Sequence, residues 1–537
     1  MSTTEWTSYR RDPSQDELEA ANAEIARQTE AVGAIEVQIQ SLISEIGRLR
    51  TQQRVHQEAI HRCKGVITLA RRIPEELLAK IFEHCVEEGW TRAPIVVSHV
   101  CSIWRKAAMA PRVWSHIYLD ANSVDALGRT RFWLHRARHA PLHITIVASW
   151  STPRTQLVDT IAILRRRASQ WRSVKLSIDS LAVTHFALSN FTQPMPHLRE
   201  LVIDTQLHEG GDIDDEFTLA NAFTEEVAPA LSELRFSCNV LPGRLRLPRH
   251  IHTLTVDISD SPMSHPLSNL ALVDLLQDLP RLEHLTIQLP LVYEAQMLNE
   301  DPERIVELSK LTSLTLHGPT DLNGLLAHLR TQSLKELRLR SLEDVGYRQE
   351  PIGPTLLQFL EQGQASLETL ELHDIDLSPG TFEDCFWAMP DLRTLRLHES
   401  SISDDTIKLL SGRDAMCPKL TRLDLRWCSH LAGKALVDMV RDRQPCPLEV
   451  DGDIRMGCTS EVTIEPMMEL GILNCCFVEE RDVLELARMT TVRLSVCEDD
   501  YCRVRQCCEN TRYRQRLRLR HLATLSSEER EQYRLIV

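Results

Sequence analysis

The sequence predicts an α/β solenoid, a parallel sheet laid down one strand per repeat, preceded by an all-α N-terminal region. Three observations predict it. The pattern L-x-x-L-x-L recurs ten times between Trp171 and about residue 430, at a mean spacing of about 28 residues. An apolar heptad runs through residues 15–64. Between the two lie short amphipathic segments, IPEELLAKIFEHCV and VSHVCSIWRKAAMAPRVW, with more apolar surface than about fifty residues bury alone.

The chain of 537 residues is long enough for several domains or one long array. Its 61 basic and 76 acidic residues leave a net charge of −15, which speaks against a general nucleic-acid binder. The opening MSTTEWTSYRRDPSQDE is polar and lacks a signal-peptide core, and no stretch approaches the ~18 apolar residues of a membrane span. No membrane or nucleic-acid partner is therefore expected. The 15 cysteines are odd in number and irregularly spaced, as in a chain with reduced thiols in the cytoplasm or nucleus.

Residues 1–14 read as a disordered start. With Leu18 at position a, the heptad places Leu18, Ile25, Val32, Ile39, Ile46, Gln53 and Ile60 at a. It places Ala21, Gln28, Ile35, Leu42, Leu49, His56 and Cys63 at d. β-branched residues at a with Leu at d favour a parallel two-stranded coiled coil, and so self-association. A helix folding back on its own protein is the open alternative.

In the first amphipathic segment Pro74 suits the opening turn of a helix, with Glu75 and Glu76 at its positive end. Leu77, Leu78, Ile81, Phe82 and Cys85 recur at helical spacing. In the second, Val97, Val100, Cys101, Trp104, Ala107 and Ala108 do the same, and Pro111 ends the helix. The ordered set Ile-Pro-Glu-Glu-Leu-Leu…Ile-Phe, Val-Cys…Trp-Arg and Ala-Pro-Arg-Val-Trp resembles the F-box in its fungal form, over residues 66–120. That resemblance implies binding to a Skp-type adaptor and, through it, a cullin. Carried over by position, the adaptor face is Ile73, Pro74, Leu77, Ile81, Phe82, Val100, Cys101 and Trp104. Ile73 replaces the commoner Leu, and Ile103 stands where a polar residue is more usual. A helical hairpin buried in this protein's own core is the alternative.

FWLHRARHAPLHITIV predicts a helix, a break at Pro141 and an alternating strand at Leu142, Ile144 and Ile146. Repeat units then open at Trp171, Leu198, Leu231, Ile251, Leu282, Leu311, Leu334, Leu367, Leu392 and Leu420. Pro196, Pro280, Pro390 and Pro418 stand two residues before an opening Leu, where a helix ends and a strand begins. Period and pattern are those of leucine-rich repeats, giving a horseshoe over residues 125–450. Cys428 falls at the N/C position, similar to the cysteine-containing repeats common in F-box proteins.

Residues between the Leu positions are expected on the concave surface. Early units offer Glu200, Asp204, Glu233, Arg235 and Asp257. Later ones offer Arg338, Arg340, His373, Arg396, His398, Arg422 and Arg426 against Glu336, Glu371 and Asp424, a basic patch suited to an acidic or phosphorylated target segment. A solvated face with internal ion pairs is the alternative.

No Walker-type G-x-x-x-x-G-K, G-x-G-x-x-G after a strand, H-E-x-x-H or G-x-S-x-G occurs, so no catalysis, cofactor or metal is expected. EGGDIDDE at 209–216 lacks calcium-loop spacing and reads as a solvated loop. Eight cysteines lie from Cys446 to Cys508, but Cys497-x₄-Cys502-x₄-Cys507 has no second half, which favours free thiols over zinc. RYRQRLRLRH, Arg512 to His521, and the rest of residues 451–537 read as a cap or tail. The resemblance thus implies a non-catalytic substrate receptor of an SCF-type ubiquitin ligase with an unknown target. A repeat and coiled-coil scaffold without a ligase, or a zinc or thiol protein using the C-terminal cysteines, are the rivals.

Overall fold

The computed structural model of the protein describes residues 12–67, 72–123, 125–206, 216–219, 222–242, 244–258, 269–289, 304–341, 352–363, 366–412, 414–444, 464–494, 526 and 532–536. Most of the expected disordered start, the acidic run up to residue 215, the segment Arg512–His521 and six of the eight C-terminal cysteines lie outside them. The chain divides into two compact units. One comprises residues up to Phe82 together with Val97–Ala108, and the other comprises Glu83–Val96 and the chain from Met109 onward.

The first unit holds helix α1 (Gln15–Ile67), continuous for 53 residues through the heptad region. Ser14 and Glu17 start it reciprocally: the Ser14 amide donates to the Glu17 carboxylate at 2.8 Å, and the Glu17 amide to the Ser14 hydroxyl at 3.3 Å. Helix α2 (Glu75–Glu87) begins at Pro74, whose carbonyl accepts from the Leu77 and Leu78 amides. The second amphipathic segment is not one helix. It splits into α3 (Ala93–Ser98) and α4 (Ser102–Ala107), with Cys101 extended at φ −159° between them. The β-branched run Ile95-Val96-Val97 holds a helix poorly, and the Arg105 guanidinium donates to the Ser98 carbonyl at 2.9 Å where α3 ends. Lys106 of α4 pairs with Glu75 of α2 at 2.8 Å.

The second unit is built on a parallel sheet of fifteen strands among the described residues, each hydrogen-bonded to the next in chain order. They are β1 (His116–Asp120), β2 (Leu142–Ala148), β3 (Trp171–Ile178), β4 (Glu200–Thr205), β5 (Glu233–Cys238), β6 (Thr253–Ile258) and β7 (His284–Gln288). There follow β8 (Ser313–Gly318), β9 (Glu336–Ser341), β10 (Thr369–His373), β11 (Thr394–His398), β12 (Arg422–Arg426), β13 (Glu469–Leu473), β14 (Thr491–Arg493) and β15 (Leu535–Ile536). The ten predicted repeats are β3 through β12. Their fourth and sixth pattern positions are buried on each strand, for example Leu337 with Leu339 and Leu395 with Leu397, all at most 1% exposed. Stacked in register, these residues make the rows that no single repeat buries alone.

The predicted domain limits are too narrow for this sheet. Residues His116–Asp120, assigned to the helical segment, already form its first strand, and β13 to β15 lie in the region read as a cap. The pattern persists in both places with substitutes at its first position: Trp114-x-x-Ile117-x-Leu119 and Met467-x-x-Leu470-x-Ile472. Trp114 and Met467 are buried like the leucines they replace. At the sheet's start Trp114 packs edge-on against Trp133 and Phe132, at 5.1 and 5.5 Å between ring centres.

In the last full repeats a non-glycine residue with left-handed backbone follows each strand: Asp374, Glu399, Trp427 and Asn474, with φ between 51° and 57°. The first three donate their amides to the carbonyl ending the next strand, at His398, Arg426 and Leu473, over 2.8–3.0 Å. The ladder thus continues one residue beyond the strands. Cys428 and Cys475 share the next buried position but one in their repeats. Their thiols donate to the Leu397 and Leu425 carbonyls of the repeat before. Burial and this mutual proximity push the Cys475 thiol well above the ordinary cysteine range, with a hydrogen bond to Cys428 as the largest cause.

Two buried contacts hold the C-terminal repeats together. Arg443, 2% exposed at the end of helix Gly433–Asp442, donates to the carbonyls of Leu410, Cys417, Pro418, Leu420 and Glu465 at 2.8–3.3 Å. Burial pulls its guanidinium down to about 10, still charged at neutral pH. Gly433 faces the Asp482 carboxylate so closely that an added Cβ has no room, and Asp482 is itself fixed by the capping box of helix Glu480–Met489. Arg443→Met keeps the length and removes every donor, so it is expected to lower unfolding free energy by at least about 3 kcal/mol. Gly433→Ala is expected to destabilise as well, against the gain alanine brings to an open helix. Urea titration followed by circular dichroism measures both.

Candidate functional site

Two surfaces stand out, one in each unit. On α2 the apolar residues divide between two faces. Leu78 and Phe82 are buried, while Leu77 and Ile81 are 51% and 45% exposed. Of the remaining residues predicted for the adaptor face, Pro74, Val100 and Cys101 are exposed, and Ile73 and Trp104 are partly covered. Phe82 departs from the prediction. It is buried and packs at a tilt against Trp104 with ring centres 5.1 Å apart, so it supports the face from beneath. A 13-residue helix buries one apolar stripe in a folded chain; the second, Leu77 and Ile81, is surplus to this unit.

The other surface is the polar face of the sheet, where register aligns side chains in three rows. The first runs Ser173, Glu200, Glu233, Thr253, His284, Ser313, Glu336, Thr369, Thr394, Arg422 and Glu469. The middle row carries Arg338, Glu371, Arg396, Asp424 and Gly471 in succession. The last carries His317, Arg340, His373, His398 and Arg426. Charge segregates along the face. Glu200, Asp204 and Glu233 are exposed near the N-terminal end, where Arg235 pairs with Asp257 at 2.9 Å. Directly opposed Glu200 and Glu233 repel: burial and then Glu233 raise the Glu200 carboxyl.

The residues expected to form a basic patch lie on adjacent strands of this face, and only part of them is open. Glu371 is fully buried at its centre. It accepts from Arg340 at 2.7 Å and from the His373 Nε2–H at 2.7 Å, with Arg396 and Arg338 at 3.4 and 3.5 Å. Burial alone acts to raise its carboxyl, yet His373 and Arg340 outweigh that and hold it far below the carboxylate range. His373 and His398, stacked with centres 5.1 Å apart, and Arg426 are buried, contrary to their expected place on the surface. Arg426 pairs with Asp424 at 2.8 Å, and Gly471 leaves the space that carboxylate occupies, since a Cβ there meets Asp424 Oδ1 at 2.7 Å. Arg422 is paired to Glu469 at 2.7 Å, and Arg493 shares that carboxylate. Of the expected cations Arg422 thus remains exposed and Arg338, Arg340 and Arg396 partly so, each already held by a carboxylate.

Asp374, His398 and Glu399 bring ligand atoms within 4.8 Å of one another, but Arg426 lies beside His398 in register and its charge opposes a cation there. Sequence reasoning missed the Glu371 hub and His317. Both alternate with core leucines at positions already read as facing the surface, so periodicity marked the place but not the burial. Burial, with Arg340 and His373 adding to it, pushes His317 down to about 4. Burial and neighbouring His143, stacked at 4.4 Å, do the same to His116.

No family model matches the chain, and no curated protein matches it. Among solved structures it is similar to the Rad7 and Elc1 complex of yeast, at 13% identity over 85% of this chain and 91% of that one, with a TM-score of 0.34. It is also similar to an internalin of Listeria monocytogenes, at 12% identity over 67% and 92%, with a TM-score of 0.28. Scores and identities this low say nothing about function.

Glu371→Gln leaves three guanidiniums around a neutral amide and is expected to cost about 3 kcal/mol of stability, the low end for breaking a buried pair. A urea midpoint unchanged from wild type would contradict the hub. The histidines set a pH dependence of known sign. An imidazole lowered from 6.5 to about 4 on folding takes up its proton first in the unfolded chain. Stability therefore falls as pH drops from about 6.5 to about 4, and these groups contribute no slope above that window. His317→Asn is expected to flatten the decline, read from urea midpoints at pH 7, 5.5 and 4.5.

Proposed function

We propose that this protein is the non-catalytic substrate-recognition subunit of an SCF-type ubiquitin ligase, working in the cytoplasm or nucleus. A Skp-type adaptor, and through it a cullin, docks on the exposed apolar residues of α2 and of the segment leading into α4. A target protein docks on the polar face of the repeat array. One observation carries the reading: α2 keeps Leu77 and Ile81 exposed while Leu78 and Phe82 already satisfy its buried side. The F-box resemblance of the same residues supports it. The receptor's contribution is then effective concentration, holding target and charged ubiquitin carrier in one particle.

For the target, the accessible arginines Arg338, Arg340, Arg396 and Arg422 favour a segment rich in carboxylate or phosphate, which offers paired acceptors to guanidinium forks. His373, with His398 stacked on it, serves this surface from below by fixing Glu371, which holds Arg338, Arg340 and Arg396 in place. Charge reversal at Arg396 would set a carboxylate against Glu371 and disturb the fold, so neutral replacements are the sound probes.

Full-length protein is expected to co-purify with a Skp-type adaptor, and Leu77→Asp/Ile81→Asp to lose it. Each of these side chains is worth roughly 1.5–3 kcal/mol when buried, so the pair costs a hundredfold or more in affinity. Both positions are exposed, so the variant's helix content and thermal midpoint stay at wild-type values. Absence of adaptor binding by the wild type, or binding indifferent to the double change, favours a repeat scaffold outside any ligase. Whatever target accompanies the complex is expected to be lost with Arg338→Gln/Arg422→Gln while the adaptor stays bound.

A further inference from the structure

Along α1 the seam residues Val32, Ile35, Ile39, Leu42, Ile46 and Leu49 are between 47% and 57% exposed. They recur every three and four residues on one stripe, over ~26 Å of helix at 1.5 Å per residue. The stripe is not compensated by unusual helix propensity. Gly33 and Gly47 stand within the helix at heptad position b, with nothing within 4 Å of an added Cβ at either. A helix of 53 residues in water depends on a packed apolar face, and this one has its face ready and uncovered.

We propose that a second copy of this chain covers it, in a parallel, in-register, two-stranded coiled coil. The seam suits its own copy. Val32, Ile39 and Ile46 supply β-branched residues at a, and Leu42 and Leu49 supply Leu at d, the combination that selects two parallel strands. The flanking g and e positions agree. Glu45 of one copy meets Arg50 of the other, while Glu24 meets Thr29, Ala31 meets Glu36, Gln38 meets Ile43 and Gln52 meets Gln57. One attractive pair and no like-charged pair leave this register unopposed. Glu24 and Glu45 are also steadied within their own helix by Arg27 and Arg48, so side chains flanking the seam are partly ordered before association. Further along, Ile60 and the exposed thiol Cys63 return to a and d. In a parallel in-register pair, Cys63 of one copy lies opposite Cys63 of the other. The assembly presents two repeat arrays per particle, so a target with two docking segments is held by both. This inference does not depend on the ligase reading.

Sedimentation of the full chain in the micromolar range is expected to give twice the chain mass, and Ile39→Asp/Ile46→Asp to give the chain mass. Mild oxidation with oxidised glutathione is expected to link Cys63 to Cys63, identified by mass spectrometry of unreduced peptides and absent in Cys63→Ser. The cross-link reads register in the unmodified protein, so the test stands even if the double Asp variant unravels α1. A monomeric wild type, a trimer or a dimer indifferent to the Asp changes overturns the proposal. So does a dimer in which Cys63 links only to other cysteines.

Discussion

The register of the parallel ladder is the constraint on which the repeat unit depends. It is set where Leu side chains of successive strands fall into common buried rows, and a slip of one residue would turn those rows outward. Once that is fixed, the opposite face has no freedom left. Glu371 must lie between Arg338 and Arg396, His373 between Arg340 and His398, and Asp424 between Arg396 and Gly471. Ion pairs that look designed one by one are thus consequences of an apolar pattern on the other side of the sheet. The 25 residues from Glu371 to Arg396 are one repeat length, and the 31 from Arg340 to Glu371 fall short of one by the two residues of a diagonal contact.

This explains what could be read from sequence and what could not. Strands β3 to β12 were legible because Leu occupies enough of the pattern at each turn. The strands at either end were not, because Trp114 opens its unit inside the segment whose helical motif dominates the reading, and Met467 opens its unit 47 residues after Leu420, outside the period of about 28. The identity of polar-face residues followed from alternation alone, but their burial did not. Burial of His373 and Arg426 goes with pairing to Glu371 and Asp424 two residues earlier and, for His373, with the stack on His398 of the next strand, none of which alternation alone reveals. The break at Cys101 was hidden for a different reason. Apolar spacing survives across a short interruption, so a pattern of period 3.6 reads through two helices as though they were one.

The two surfaces use different physics. The exposed stripe of α2 is apolar and preformed, so association there draws on water release with little reorganisation. The arginine face is polar and already internally paired. A ligand must compete with Glu371 and Glu469 for guanidiniums that are not free, which makes affinity modest and selectivity for arrangement high. Such a surface responds to the geometry of negative charge on a partner more than to its amount.

The left-handed residues after the last strands carry a consequence for the chemistry of the rim. Asp374, Glu399, Trp427 and Asn474 each adopt a backbone that costs a side-chain-bearing residue about 1–2 kcal/mol. Glycine would remove that strain and lose about 0.5–1 kcal/mol to the greater freedom of the unfolded chain. The margin is narrow enough that either choice folds. A glycine rim would be slightly more stable and chemically blank. The rim this chain has instead places a carboxyl, a second carboxyl, an indole and an amide at one-strand intervals of ~4.8 Å, and of these it exposes the indole of Trp427 and part of Glu399 while Asp374 and Asn474 turn theirs into the fold.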